Sequence, residues 1–357
     1  MSKLGNLSCM NPVDFRSDTV TQPTDDMRSA MQAAALGDDV LEGDPSVRAL
    51  EAKVADLLGK EAALFVPSGT MANLLALKCQ TQPGDEVVCD QECHIYYYEA
   101  AGYAAFCGVS LRFTRGERGL FTAEELEALI RPDDEHFPKT TLVAVENTHN
   151  RGGGIPWPIE QLAEVYCETK RLGLRLHMDG ARLWNACAAE GVEPADYAEF
   201  ADTVSVCFSK GLGCPVGSAL VGDAESIARA RRLRKAVGGS MRQAGQLAGA
   251  ASFALDTHRH RMTEDHARAQ ELAKKIGSIP GLTVDNGRVQ TNMVYFDVDP
   301  KLGTARQFCA KLDDKVRMLD ESRQTVRAVT HLHITDDDIT RAAGAIASAV
   351  DSKAVLA

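Results

Sequence analysis

Short apolar runs that alternate with helical segments constrain the fold of this chain more than any other feature. Each run has four or five residues, and helical stretches such as 158–172 separate them. The runs are 62–66, 86–89, 142–145, 174–178 and 204–208. Such runs are typical of strands that are buried on both faces of a parallel sheet. The pattern therefore predicts an α/β domain of three layers with a mainly parallel sheet.

The pattern changes beyond about residue 255, where a charged helical stretch, 256–276, precedes an apparent strand at 293–296. At roughly 150 residues a domain, a chain of 357 residues corresponds to about two domains. We predict an N-terminal arm and large domain over residues 1–257, and a smaller C-terminal α+β domain over residues 258–357.

Charge and cysteine content restrict the partners and the compartment. Lys and Arg number 39 and Asp and Glu number 50, so the formal net charge of −11 disfavours nucleic acid and anionic membranes as partners. The ten cysteines form no CxxC pair, which favours a reducing compartment. No apolar leader and no apolar run of membrane-spanning length is found in the sequence. We therefore expect a soluble, cytoplasmic protein.

The residues that follow the apolar runs are the candidates for chemistry, because the carboxyl ends of parallel strands meet at one edge of a sheet. Ser68, Gly69 and Thr70 follow the run 62–66 and precede an apolar helix. They form either an ordinary helix cap or a phosphate site, since a helix N-terminus offers free backbone N–H groups. The GxxxxGK[ST] spacing of nucleotide-hydrolysing loops is absent from the sequence.

Two charged residues also follow apolar runs. Asp179 has three interpretations, namely an ion pair with Arg182, a metal ligand, or the partner of a protonated ring nitrogen in a cofactor. Lys210 either reaches solvent or acts as a nucleophile. Pyridoxal 5′-phosphate has a phosphate, a ring nitrogen and an aldehyde, one group for each of the three candidates. The candidates together therefore favour this cofactor.

The motifs around these residues resemble those of the threonine aldolases, which are β-eliminating lyase-like members of the fold-type I pyridoxal-phosphate enzymes. They occur in the order typical of the family over nearly the whole chain from residue 14. The motifs are DFRSDTVT (14–21), GDDV (37–40), FVPSGTMAN (65–73), ENTHN (146–150), HMDGAR (177–182), SKGLG (209–213), GGSMRQAG (238–245) and VTH (329–331).

The resemblance implies roles for the cofactor-binding residues. Lys210 is similar to the lysine that forms the Schiff base with the cofactor, and Asp179 to the partner of its pyridine nitrogen. The turn at 68–70 resembles the phosphate-binding turn, and His94 matches the histidine that lies over the ring. Arg182 is expected beside the cofactor as well.

The resemblance also implies shared sites. Lys235 and Arg242 match cationic positions that reach the cofactor phosphate of a neighbouring subunit. It thus implies a homo-oligomer in which a dimer is the minimal active unit, with a homotetramer as the expected assembly.

Substrate binding follows from the same resemblance. Ser17, Arg182 and Arg327 match the groups that hold the substrate carboxylate, for which a bidentate arginine is well suited. His94 and His136, the second active-site histidine of the family pattern, are the candidates for proton transfer at the β-hydroxyl. His94 has the alternative role of stacking only.

Two residues depart from the family pattern, and a few others have no role that the resemblance assigns. Leu41 stands where many members have tyrosine, and Ser240 where a third glycine is common. The tyrosines at 96–98 either replace the lost polar contact or are wall or core residues. His331 and His333 would share one face of a strand, but without a third ligand nearby we favour packing and predict no metal site.

The implied activity is retro-aldol cleavage of L-threonine, L-allo-threonine and related β-hydroxy-α-amino acids to glycine and an aldehyde, with a role in glycine formation. The alternatives are β-elimination or transamination on the same scaffold, or a non-catalytic pyridoxal-phosphate-binding protein.

Overall fold

A computed structural model of the protein describes residues 11–284 and 289–354. The strands, in chain order, are β1 Val13–Asp14, β2 Ala62–Val66, β3 Glu86–Asp90, β4 Ser110–Thr114, β5 Thr140–Glu146, β6 Arg175–Gly180, β7 Thr203–Cys207, β8 Ser218–Gly222, β9 Leu282–Val284, β10 Met293–Val298, β11 Val316–Arg317, β12 Leu319–Asp320 and β13 Thr325–Val329. The α-helices are α1 Asp25–Ala33, α2 Pro45–Leu57, α3 Gly69–Gln80, α4 His94–Tyr97, α5 Ala123–Leu129, α6 Ile159–Arg171, α7 Leu183–Glu190, α8 Pro194–Ala198, α9 Ala224–Ala236, α10 Gly245–Thr257, α11 Met262–Gly277, α12 Ala305–Leu312 and α13 Asp336–Ala354.

The packing of these elements forms two units, and the larger one is Thr21–Glu264. Its sheet has seven strands in the order β2-β8-β7-β6-β5-β3-β4. The neighbouring pairs among β3 to β7 are all parallel, whereas β8 is antiparallel to both of its neighbours. The prediction of an α/β domain with a mainly parallel sheet is therefore confirmed, and each of the five apolar runs contributes a strand.

Alternate residues of the strands face opposite layers of helices, which is why the runs are apolar throughout. Val88 and Val143 pack in a core cluster that also contains Phe208. Leu142 and Ala144 belong to a separate cluster. The sheet is thus covered on both faces, as a three-layer arrangement requires.

Sequence reasoning missed two strands of this sheet. Strand β4 lies at an edge, and most of its residues are partly exposed, so that its run SLRFT is not continuously apolar. Strand β8 is fully buried, but its run SALVG begins with serine and ends with glycine. The charged helical stretch predicted at 256–276 begins later, because α10 continues to Thr257 and a 3₁₀ turn, Arg259–Arg261, precedes α11.

The smaller unit combines the segment before Thr21 with the segment after Glu264. It contains a four-stranded antiparallel sheet in the order β12-β13-β10-β9 and a parallel pair, β1 with β11. Helices α11, α12 and α13 contribute to its apolar core. This composition agrees with the α+β class predicted for the C-terminal domain.

The domain bounds 1–257 and 258–357 stay a prediction, and the packing divides the chain differently. Residues 11–20 pack with the C-terminal unit, because Val13 pairs with Val316 and the carbonyl of Phe15 accepts a hydrogen bond from the Val329 N–H at 2.9 Å. A pairing between segments so distant in sequence leaves no local signal. Within the described ranges, no helix has the length and apolar character needed to cross a membrane.

Candidate active site

The carboxyl edge of the large sheet brings together the candidates that follow its strands. Strands β2, β3, β5, β6 and β7 all end at this edge. Asp179 lies in β6 opposite Glu146 of β5 and Ser205 of β7, while Lys210 follows β7 by three residues. The turn at 68–70 follows β2. The expectation that these candidates share one edge therefore agrees with the observed topology.

The turn between β2 and α3 has the features of an anion site. Ser68 caps α3, and its hydroxyl accepts a hydrogen bond from the Met71 N–H at 3.2 Å. The backbone N–H groups of Gly69 and Thr70 point out of the first helical turn and have no acceptor within the helix. A Cβ at position 69 would lie 2.7 Å from Sγ of Cys207, so that only glycine fits. Cap and anion site are compatible functions of the same turn.

Asp179 is buried and accepts its hydrogen bonds from neutral donors. The Asn73 amide donates to Oδ2 at 2.8 Å and the Ala181 N–H to Oδ1 at 3.1 Å. Burial acts to raise the pKa of Asp179, but the positive charges of His94 and Lys210 hold this pKa below its usual value. A buried, ionised carboxylate with neutral donors is suited to a cationic ligand group rather than to a preformed ion pair.

His94 begins the short helix α4 beside Asp179. Its Nδ1 lies 2.8 Å from Oε1 of the buried Glu99, and its backbone N–H donates to the Glu146 carboxylate at 2.6 Å. Burial opposes protonation of the imidazole, but the hydrogen bond to Glu99 and the charge of Asp179 raise the pKa of His94 above its usual value. The ring of Tyr98 lies 5.3 Å from that of His94, centroid to centroid.

His94, Glu99 and Asp179 also satisfy the spacing of a metal site, since one ligand atom from each lies within 4.8 Å of the other two. Hydrogen bonds account for this cluster. The Asn73 amide donates to both carboxylates, and His94 shares the same Glu99 oxygen. The prediction that the protein has no metal site stays a prediction.

Sequence reasoning missed Asn73, Glu99 and the residues beneath them. The sequence does contain a signal for them. In one buried strand the polar residues His177 and Asp179 flank an apolar residue, and in the next strand Thr203 and Ser205 do the same. Alternate polar residues in buried strands indicate a polar stripe on one face. Asn73 in the apolar helix α3 faces this stripe.

Lys210 is partly buried, and its carbonyl accepts hydrogen bonds from the Thr21 hydroxyl at 3.0 Å and from the Gly213 N–H at 2.9 Å. Gly211 lies against Met262, whose thioether would be 3.1 Å from a Cβ at position 211. The backbone at Lys210 is thus held on both sides. Arg182 is buried at the start of α7, where its carbonyl accepts from the N–H groups of the helix.

Three other predicted site residues of the larger unit are exposed. His136 is on a surface turn, with 76% of its side chain exposed and its Nδ1 2.6 Å from Asp134. Lys235 and Arg242 are exposed, and Arg242 pairs with Asp38 at 3.0 Å. The predicted roles of these residues in proton transfer and phosphate binding stay predictions.

Ser17 and Arg327 belong to the smaller unit, where the Arg327 guanidinium donates to the carbonyl of Arg16 at 3.3 Å. Their predicted contact with the substrate carboxylate stays a prediction. His331 and His333 do not share a strand, because β13 ends at Val329 and these residues form the following turn. The expectation of a common strand face was therefore wrong.

The two residues that depart from the family pattern differ in exposure. Leu41 has 77% of its surface accessible, and Ser240 is partly buried. Tyr96, Tyr97 and Tyr98 are exposed, so the interpretation of these residues as core was wrong. The Arg151 guanidinium lies 4.2 Å from the ring centroid of Tyr97 and donates to the Tyr98 hydroxyl at 3.1 Å.

Comparison with known proteins assigns the family, since the beta-eliminating lyase family model matches residues 14–299. The chain belongs to the beta-eliminating lyase family. Low-specificity L-threonine aldolase 1 of Arabidopsis thaliana is 42% identical to it over 337 residues, which cover 92% of this chain and 94% of the relative. The low specificity L-threonine aldolase of Escherichia coli (strain K12) is 40% identical over 332 residues, with coverages of 93% and 97%.

The solved structure of Leishmania major threonine aldolase has a similar fold, with a TM-score of 0.80 at 20% identity over 95% of this chain and 100% of that one. The fold-type I prediction is thereby confirmed. Membership of the beta-eliminating lyase family and this fold imply dependence on pyridoxal phosphate. The residues at the sheet edge fit that group, because Asp179 is a buried carboxylate and Gly69 makes room at the exposed end of α3.

Proposed function

We propose that this protein uses pyridoxal phosphate to cleave L-threonine, L-allo-threonine and related β-hydroxy-α-amino acids to glycine and an aldehyde. The observation that supports this most is the shared sheet edge, where an ionised Asp179, a partly buried Lys210 and the free end of α3 occur together. The similarity to low-specificity L-threonine aldolases over more than nine-tenths of the chain supports the choice of substrate.

Each part of the cofactor has a residue of this chain to hold it. The N–H groups of Gly69 and Thr70 and the Ser68 hydroxyl would bind the phosphate, and Asp179 would keep the ring nitrogen protonated. Lys210 would supply the amine that bonds to the aldehyde. When bound, pyridoxal phosphate accepts the electron pair of the bond that breaks at Cα.

The reaction also requires a proton acceptor and a carboxylate clamp. His94 would accept the β-hydroxyl proton while the Cα–Cβ bond breaks and the β-carbon becomes the aldehyde carbonyl, with His136 as the alternative acceptor. A clamp on the substrate carboxylate selects which Cα bond stands perpendicular to the cofactor ring. Ser17, Arg182 and Arg327 are the proposed clamp.

The proposed assembly is a homo-oligomer, with Lys235 and Arg242 directed to the cofactor phosphate of a neighbouring subunit. Both side chains are exposed, which is compatible with that role. Mixing Lys210→Ala protomers with Arg242→Ala protomers tests it. If the site is shared, one site of each mixed dimer lacks both residues and the other site is complete. Partial recovery of activity supports a shared site, and no recovery after verified subunit exchange contradicts it. We also propose a cytoplasmic location.

Product analysis tests the proposed function. The purified, cofactor-loaded protein is incubated with L-threonine, L-allo-threonine and phenylserine, and glycine and aldehyde are measured separately. We expect equal amounts of glycine and aldehyde from each accepted substrate, and none from Lys210→Ala. Release of pyruvate and ammonia would instead indicate β-elimination, and a keto acid with transfer of the amino group would indicate transamination.

A further inference from the structure

A buried chain of hydrogen bonds connects His94 to Asp179 through two residues that have no role in the proposed function so far. Oε1 of Glu99 lies 2.8 Å from Nδ1 of His94 and 2.8 Å from Nδ2 of Asn73. The other hydrogen of the same Asn73 amide is donated to Oδ2 of Asp179 at 2.8 Å. One amide therefore holds both carboxylates.

The orientation of the Asn73 amide follows from its partners. Its Oδ1 accepts from the Ser205 hydroxyl at 2.8 Å and lies 3.1 Å from Nε2 of His177. A flipped amide would turn its oxygen toward two carboxylates, which is unfavourable. Burial lowers the pKa of His177 to about 4, so this imidazole is neutral. Its Nδ1 lies 3.0 Å from the Thr203 hydroxyl and 3.2 Å from the Thr203 carbonyl oxygen, and a proton on Nε2 would be donated to Asn73 Oδ1.

Two nitrogen atoms converge on Oε1 of Glu99, one from the Asn73 amide and the other Nδ1 of His94, and both can donate a hydrogen bond to it. Burial and the charge of Asp179 raise the pKa of Glu99 above its usual value. The N–H groups of Asn73 and His94 act in the opposite direction, because hydrogen bonds to the charged form stabilise it. Without the amide, Glu99 would more readily take up a proton and donate it to His94.

We propose that Glu99 and Asn73 are positioning residues that keep the proton of neutral His94 on Nδ1 and leave its Nε2 as the proton acceptor. The role of that acceptor in cleavage rests on the proposed function, whereas the tautomer does not. Among the described residues, no hydrogen bond to His94 Nε2 is found, and 31% of the side chain is exposed. A carboxylate that selects an imidazole tautomer in this way is a known device for orienting a base.

The tautomer is measured directly by ¹⁵N NMR of the histidine side chains in the cofactor-loaded protein. The chain contains nine histidines, and the His94 signals are assigned by their loss in His94→Asn. Above the pKa of His94, we expect Nδ1 to show the shift of a protonated nitrogen and Nε2 that of an unprotonated one. A proton on Nε2 in the parent protein would overturn the proposal, even if glycine and aldehyde are released normally.

Variants of Glu99 separate its charge from its acceptor atom. Glu99→Gln keeps an oxygen for Asn73 and His94, and should retain the tautomer. Glu99→Leu removes the acceptor, and should produce a mixture of tautomers and lower kcat by roughly tenfold to a hundredfold, with little change in KM. An unchanged tautomer in Glu99→Leu would contradict the role of Glu99.

Asn73→Leu removes the bridge between the carboxylates, and should shift His94 toward the Nε2–H tautomer. An unchanged tautomer in this variant would contradict the role of Asn73. If the variant does not fold, the Glu99 variants still test the proposal. Glu86→Gln is the matched control, since Glu86 is also a buried carboxyl but lies at the opposite edge of the sheet, and it should leave the His94 signals unchanged.

If the proposed function fails and the tautomer is as stated, the protein forms no glycine but still shows a protonated Nδ1 on His94. If the tautomer fails and the function holds, glycine forms while Nε2 bears the proton. The two results are therefore distinguishable.

Discussion

The carboxylates at the two edges of the large sheet have different kinds of partner. At the amino edge, Glu86 pairs with Arg131 at 3.1 Å and accepts from the Thr140 hydroxyl. Lys170 forms a short ion pair with Asp202 at the same edge, where Asp202 also accepts from the N–H of a β6 residue. Each of these carboxylates has a cation of its own.

At the carboxyl edge, the carboxylate of Asp179 is held by neutral amide and backbone donors instead. The groups there that can carry a positive charge, His94 and Lys210, are only partly buried. Charge pairing at the amino edge serves stability, whereas the carboxyl edge keeps a carboxylate and an amine available for a ligand. Perturbed, incompletely paired groups of this kind are characteristic of functional sites.

Among substitutions that compare the two edges, removal of Lys210 should have the largest effect on activity. Lys210→Ala should lower the rate of glycine release by at least about a thousandfold, because the amine that bonds to the cofactor is lost. Lys170→Ala is the control at the amino edge and should retain nearly full activity. A Lys210→Ala protein with substantial turnover would show that the carboxyl edge is not the active site.

Neutralisation of Asp179 should have the next largest effect on activity. Asp179→Asn keeps the size of the side chain but removes the charge that would stabilise a protonated ring nitrogen, and should reduce activity by roughly a hundredfold and weaken cofactor binding. Cofactor titration by absorbance and glycine release are the measurements. Asp202→Asn changes a carboxylate at the amino edge in the same way, and should affect stability rather than cofactor binding.

His177 should make the protein less stable in acid. Its pKa of about 4 in the folded protein lies below the value of about 6.5 expected in the unfolded chain, so the unfolded state takes up a proton first as the pH falls. The free energy of unfolding should therefore decrease by about 2 kcal/mol between pH 7.5 and pH 5 on account of this residue. Urea unfolding at both pH values gives this decrease for the parent and for His177→Gln, and the decrease should be smaller in the variant. The same pH dependence in both proteins would contradict the assignment.

The smallest effect on activity is expected at Glu86. Glu86→Ala leaves Arg131 and Thr140 without their common acceptor, and should lower the free energy of unfolding by about 1–3 kcal/mol. Glycine release by the folded protein should stay within about twofold of the parent, in contrast to the Asp179 variant. A large loss of activity here would show that the two edges are not independent.

Much of the site at the sheet edge was predictable because it depends on chain order. Asp179 and Lys210 follow apolar runs directly, and the rule that parallel strands end at one edge places them together. Glu99 and Asn73 were not predictable in this way, since Asn73 lies in helix α3 and Glu99 in the turn that follows α4. Their neighbours in the folded protein, such as Ser205, are far away in sequence.

Strand direction and the pairing of distant segments were also not predictable from local sequence. The antiparallel direction of β8 and the association of Val13 with Val316 depend on contacts between distant segments. The short runs themselves predicted the parallel strands, because a strand buried on both faces must be apolar at successive positions.

The amino-acid sequence by itself determined the α/β class, the candidates at the strand ends and the resemblance to a family of enzymes. These follow from local periodicity and motif order. Only the tertiary structure decided which polar groups share a proton or a carboxylate, because hydrogen bonds depend on distances of about 3 Å between side chains from different elements. The bridge from His94 through Glu99 and Asn73 to Asp179 is of this second kind.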